Sequence, residues 1–194
     1  MLYGVGIGLA KQHLTLEAVD VIKRVDEVIV PGKMAYEVVR EIREPRIVEF
    51  PMGRGEDVAR ELAAEIAEKS YDVAFCCIGD PCLYSTFAHL VSELRKIDPD
   101  YPIKIVPGIS SVAVALAVTQ TFVTGSALIA TQDFEEADVA IVLKVKNPRK
   151  AVEKLKKLGF SDFFLLERLF MDGERISREI PERADYFSVL VARR

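Results

Sequence analysis

The spacing of apolar positions changes period along the chain, and each change predicts an element. LYGVGIG, residues 2–8, is a short apolar strand broken by glycines. Leu16, Val19, Val21, Ile22 and Val25 then recur at helical spacing within residues 15–25. EVIV is a strand stopped by Pro31 and Gly32, residues 34–43 form a helix, and RIVEFP is a further strand. Over residues 56–69, Val58, Leu62 and Ile66 fall four apart among charged residues, which predicts a helix. DVAFCCIG is a buried strand, residues 83–96 a helix, IKIVPG a strand and ISSVAVALAV a helix of small apolar residues. Strictly alternating strands and helices indicate a mostly parallel sheet with helices on both faces.

After about residue 122 the alternation stops. ALIATQ, DVAIVLKV, FFLLERL, RISREI and YFSVLVAR are strand candidates, interrupted by one clear helix over residues 148–158. Strands in succession without crossover helices predict an antiparallel or mixed sheet. The turn-forming stretch VTQTFVTGS places a boundary near residues 119–125 and divides the chain into lobes of residues 1–120 and 121–194.

Composition narrows the chemistry. The 194 residues carry a net charge of −4, which argues against a nucleic-acid binder. Cys76, Cys77 and Cys82 lack metal-site spacing, so a zinc site is disfavoured. Neighbours in a strand, Cys76 and Cys77 point to opposite faces. Reduced core thiols imply a cytoplasmic protein, and MLYGVGIGLAK has neither the charged start nor the apolar length of a signal peptide. Residues 109–123, the most apolar later stretch, are too short to span a bilayer.

Two glycine-bearing loops draw attention. Gly4, Gly6 and Gly8 miss the dinucleotide fingerprint, because Leu9 occupies the position of the third glycine and Pro31-Gly32-Lys33 stands where a ribose-binding acid belongs. The second loop, Gly79-Asp80-Pro81, follows the buried strand. Gly79 permits backbone angles closed to other residues, and Asp80 is a short acceptor able to cap the next helix or face a ligand. Pro107-Gly108 repeats the device one strand later, with Ser110 and Ser111 opening a helix.

GVGIG, LTLEAVDVIKRVDEVIVPG, FPM, GDPCLYSTF, VPGISS, VLKV and YFSVLVARR, in that order, make the chain resemble the tetrapyrrole (corrin/porphyrin) methylases. FPM, LYSTF and YFSVLVARR are similar to the branch that methylates C20 of precorrin-2 or cobalt-precorrin-2 in cobalamin synthesis. The resemblance implies two α/β lobes with S-adenosylmethionine between them, a tetrapyrrole substrate and a homodimer. It places Ile78, Gly79, Asp80, Leu83, Ser110 and Ser111 on the cofactor, joined by Leu143 and Ala192 of the second lobe. Core packing accounts equally for Leu143 and Ala192, and helix capping for Ser110 and Ser111.

Tyr84 either packs on the substrate or starts a helix. Arg54, Lys144 and Lys146, with Arg149 and Lys150, are cations suited to substrate carboxylates, or simply solvated surface. His13 and His89 read as packing or surface residues, and no side chain identifies itself as a catalytic base. The chain departs from the family at Leu9-Ala10-Lys11-Gln12-His13, where relatives carry a Pro-Gly-Asp-Pro loop. A superfamily member acting on another corrin position or on a diphthine precursor, or a non-catalytic cofactor- or tetrapyrrole-binding module, is the alternative.

Overall fold

Five short strands with β-branched and apolar residues on both faces can be buried only between two helical layers. The computed structural model, which describes all residues except 52, 119, 121, 126, 128, 130–135 and 169–171, shows that arrangement. In Met1–Ser126, strands β1 (Leu2–Gly6), β2 (Glu27–Val30), β3 (Arg46–Ile47), β4 (Val73–Cys77) and β5 (Ile103–Val106) form an all-parallel sheet in the order β3-β2-β4-β1-β5. Helices α1 (Leu16–Arg24) and α2 (Lys33–Val39) cover one face and α3 (Gly55–Ala67) and α4 (Thr86–Ile97) the other. A last helix, α5 (Ser111–Val118), has no buried residue.

The side-chain alternation of β4 splits the core. Ala74 and Cys76 pack with Val21 and Ile22 of α1, whereas Val73, Phe75 and Cys77 pack with Leu62 of α3 and Leu90 of α4. The two cysteines therefore do face opposite layers. Gly4 lies on the second face because a methyl there would fall 2.3 Å from the ring of Phe87. Phe87 fills that notch and stacks on Phe75 with ring centroids 6.1 Å apart.

Two helices begin or end differently from the sequence pattern. The segment after Pro81 continues as a turn to Ser85, whose hydroxyl accepts from the Phe87 amide at 3.1 Å, so α4 starts at Thr86 rather than at residue 83. Tyr84 does not begin the helix, since its φ of +49° lies in the left-handed region. At the other end of the sheet, α2 stops at Val39, ahead of Pro45.

An ion-pair cluster ties the β2–β3 edge to the end of α3. Glu27 accepts from Arg46 at 2.8 Å and from Lys69, and Glu65 accepts from Arg46 at 2.7 Å and from Lys69 at 2.6 Å. Burial alone would raise both carboxyls. Hydrogen bonds and charge from Lys69 and Arg46 outweigh it and hold them below the ordinary value of 4.5. A depressed carboxyl stabilises the fold above its ordinary pKa, and that contribution is lost as pH falls through the folded value. Urea midpoints measured below pH 4.5 should therefore fall more steeply for the natural protein than for Glu27→Gln. Parallel decline of the two would show that the cluster contributes nothing.

Ala127–Arg194 forms the second unit. Strands β6 (Val139–Leu143), β7 (Asp162–Glu167), β8 (Arg175–Ser177) and β9 (Ser188–Arg193) make an antiparallel sheet in the order β6-β9-β7-β8. Helix α6 (Pro148–Lys156) starts from Asn147, whose side chain accepts from the Lys150 amide, with Pro148 in the first turn. Val152, Leu155, Phe163, Leu165, Leu190 and Ala192 form its core. The strand expected at ALIATQ falls on residues of which only 127 and 129 are described.

Candidate functional site

The carboxyl ends of parallel strands are where an α/β sheet presents ligand sites, and here three loops from β1, β4 and β5 meet. The Gly79 amide donates to the Gly8 carbonyl at 2.9 Å and the Gly8 amide to the Gly79 carbonyl at 3.2 Å, a two-residue antiparallel bridge beyond the parallel sheet. Gly108 is pressed against Gly79 and Gly6. A methyl on it would lie 2.2 Å from the Gly79 carbonyl oxygen and 2.6 Å from Gly6 Cα, and a methyl on Gly6 would meet the Gly108 nitrogen at 2.5 Å. The period-two glycines of GVGIG thus serve packing: Gly4 admits a ring and Gly6 admits a neighbouring main chain.

Asp80 fastens the arrangement. Its Oδ2 accepts from the Gly108 amide at 2.9 Å and its Oδ1 from the Cys82 amide at 2.8 Å. The carboxylate therefore neither caps α4, which Ser85 does, nor points away as an unengaged acceptor. It holds the Gly-Asp-Pro loop to the Pro-Gly loop.

Gly79 has φ +74°, and the direction its missing side chain would take leads toward Ser110 Cα at 3.9 Å and the Ser111 nitrogen at 4.0 Å. Ser110 accepts from the Ala113 amide at 3.3 Å and so caps α5. Ile78, Gly79, Asp80, Ser110 and Ser111 are thereby gathered at one place, while Leu83, 40% exposed, lies on the outward turn. The nearby thiols are held toward their protonated forms. Burial pushes Cys76 up, burial together with neighbouring acidic groups pushes Cys77 up to about 12, and burial and the Asp80 charge raise Cys82. Among the described residues no cluster of histidine, cysteine and acidic side chains is suited to a metal ion.

One residue was missed in the sequence. His13 ends a short 3-10 helix, Lys11–His13, and its Nδ1 accepts from the Leu9 amide at 3.3 Å. Its Cβ would lie 2.3 Å from a methyl on Gly8, whose φ is +66°. The segment Leu9–His13 thus closes on Gly8 through His13. The only available signal was its place four residues after Leu9, and a histidine so close to a glycine strand has many ordinary roles.

On the other side of the Gly-Asp-Pro loop, Tyr84 lines a cleft of about 480 Å³ with Ile78, Phe50 and the start of α2. Arg54 stands apart at the start of α3, where its amide donates to the Pro51 carbonyl at 3.1 Å. In the second unit, Leu143 ends β6 with its side chain exposed, and Lys144 follows with φ +53° and its Nζ 5.3 Å from the Tyr186 ring centroid. The Lys146 carbonyl accepts from the Ala184 amide at 3.4 Å. Ala192 lies in the middle strand of that sheet, paired with Ala140 and Phe163 and buried.

Residues 1–180 match the family model of the Tetrapyrrole (Corrin/Porphyrin) Methylases. The chain belongs to that family. This methylase is 30% identical to a probable cobalt-precorrin-2 C(20)-methyltransferase of Methanocaldococcus jannaschii, over 99% of its own length and 95% of the relative's. It is 31% identical to the diphthine synthase of Aeropyrum pernix over 59% of its length and 40% of that protein's. Among solved structures, the precorrin-6Y methylase from Archaeoglobus fulgidus superposes with a TM-score of 0.52 at 27% identity, covering 100% of the methylase and 97% of that chain. No helix among the described residues is long and apolar enough to cross a membrane.

Proposed function

We propose that this methylase transfers the methyl group of S-adenosylmethionine to C20 of precorrin-2 or cobalt-precorrin-2, a step of cobalamin synthesis in the cytoplasm. The observation that carries the substrate is the M. jannaschii relative, matched almost end to end, whereas the diphthine synthase match spans little more than half the chain. FPM, LYSTF and YFSVLVARR point the same way.

The first unit fits the cofactor on its own geometry. A methyl on Gly79 would meet nothing closer than Ser110 Cα at 3.9 Å and the Ser111 nitrogen at 4.0 Å, and this room supports cofactor contact with the main chain there. Leu83 is assigned beside them, and Leu143 and Ala192 of the second unit are assigned to the cofactor by family resemblance. When bound, S-adenosylmethionine supplies a methyl already activated by its sulfonium. The chain's own task is alignment: holding acceptor carbon, methyl and sulfur in line contributes several kcal/mol of barrier lowering without a covalent intermediate on the protein. Tyr84, Arg54, Lys144 and Lys146 are proposed contacts for the carboxylate-bearing acceptor.

Incubation with precorrin-2 or its cobalt form and S-adenosylmethionine tests the assignment, with the product read by mass and NMR. A single added methyl at C20 is expected. Methylation only of another corrin intermediate or of a diphthine precursor would replace it. The protein is also proposed to act as a homodimer, which the family resemblance implies and to which the unburied apolar α5 lends support. Light scattering at micromolar concentration should give twice the 21.6 kDa chain mass.

A further inference from the structure

The cleft beside the Gly-Asp-Pro loop has a lining whose chemistry is lopsided. Met34, Phe50 and Ile78 supply apolar surface, and Phe50 is fixed to the core by an edge contact with Phe75 at 5.8 Å between centroids. Tyr84 and Thr86 add hydroxyls at one wall. Lys33 is the only charged side chain among the described lining residues, and no carboxylate faces it there. A volume of about 480 Å³ falls within the range of small-molecule sites.

The Lys33 ammonium has no hydrogen bond or ion pair among the described residues. Lys33 also opens α2, where a cation opposes the helix dipole and slightly disfavours the helix. A lysine that opposes the helix dipole, lacks a partner and lines a largely apolar cleft matches a ligand that is mostly apolar with an anionic edge.

Ile78 belongs both to this cleft and to the backbone turn that leads into Gly79, so the cleft opens next to the proposed cofactor position. Tyr84 is held there with φ +49°, a backbone conformation that bulky residues rarely adopt and that concentrates at ligand sites.

We propose that Lys33 binds a peripheral carboxylate of the tetrapyrrole acceptor, whose ring edge lies on Met34, Phe50 and Ile78, and so helps to select acceptors carrying an acidic side chain at that edge. This rests on the acceptor being a carboxylate-bearing tetrapyrrole, as in the proposed methyl transfer. The ammonium acts as a point charge on a flexible stem, which tolerates small differences in carboxylate position better than a rigid fork would.

The test is an absorbance titration of the full chain with uroporphyrin III, a carboxylate-rich tetrapyrrole, using the natural protein, Lys33→Met and Lys33→Arg. Binding of S-adenosylhomocysteine by calorimetry serves as the control for an intact first unit. Lys33→Met should weaken uroporphyrin binding about tenfold, the size of one charge-assisted contact at an open site. Lys33→Arg should stay within about threefold of the natural protein, and cofactor binding should not change in either. The tenfold difference should shrink as salt is raised. Uroporphyrin binding by Lys33→Met within twofold of the natural protein, no binding by the natural protein, or a matching loss of cofactor binding would each overturn the proposal. The two assignments fail separately. Lys33-dependent porphyrin binding without methyl transfer to precorrin-2 refutes the C20 assignment alone, and methyl transfer with unchanged KM in Lys33→Met refutes the role of Lys33 alone.

Discussion

Gly108→Ala is expected to lower the urea midpoint of the first unit sharply and to abolish binding of S-adenosylhomocysteine. The added methyl would sit 2.2 Å from the Gly79 carbonyl oxygen and 2.6 Å from Gly6 Cα. All of these are backbone atoms, with no flexible side-chain end to swing aside. The β5 loop must therefore retreat, and in retreating it breaks the bond from the Gly108 amide to Asp80. Overpacking costs about 1–3 kcal/mol, and leaving a part-buried carboxylate oxygen without its donor adds about 1–3 kcal/mol. That sum is a large fraction of the roughly 5–15 kcal/mol that holds a domain folded. Gly125→Ala is the control, since nothing lies within 4 Å of the added methyl. Equal midpoints for the two variants by circular dichroism would refute the packing argument.

Gly79→Ala separates folding from binding. With φ +74° the substitution is strained and should cost about 1 kcal/mol or more. The new methyl meets nothing closer than 3.9 Å, so the unliganded fold has room for it. That room is the space assigned to the cofactor. Affinity for S-adenosylhomocysteine per folded molecule should therefore fall at least about tenfold, beyond any loss of folded protein. The folded fraction is measured independently by circular dichroism. Natural affinity in that fraction would reduce Gly79 to a turn residue.

Elements whose apolar spacing repeats locally were legible. The three apolar positions of α3 and the unbroken apolar run of β4 specify a helix and a doubly covered strand whatever lies beside them. The Gly-Asp-Pro loop was legible as a sharp turn because a glycine after a buried strand is a local signal. Gly108 was visible as a strand stop, but its closeness to Gly6 was not, since it joins positions far apart in sequence and depends on β1 and β5 being neighbours. The same holds for Asp80, whose two partners could be assigned only once the β5 loop was placed. The start of α4 was misjudged because leucine and tyrosine fit a helix by spacing, while Ser85 competes as a cap and Tyr84 takes left-handed angles. Lys33 escaped notice because a lysine after Pro-Gly looks like ordinary turn surface until the cleft is seen around it.

The meeting of Gly6, Gly8, Gly79 and Gly108 is built from main-chain amides and carbonyls, with Asp80 as its one side-chain tie. Such a floor keeps its shape whichever side chains surround it, provided the glycines remain. Substitutions that would disrupt a pocket made of side chains can therefore accumulate around this one. Leu9–His13 shows the division of labour: Gly8 reaches Gly79 through main-chain bonds, while the segment beyond it closes on itself by the bond from the Leu9 amide to His13. In this methylase the floor is specified by main-chain hydrogen bonds and by four glycines.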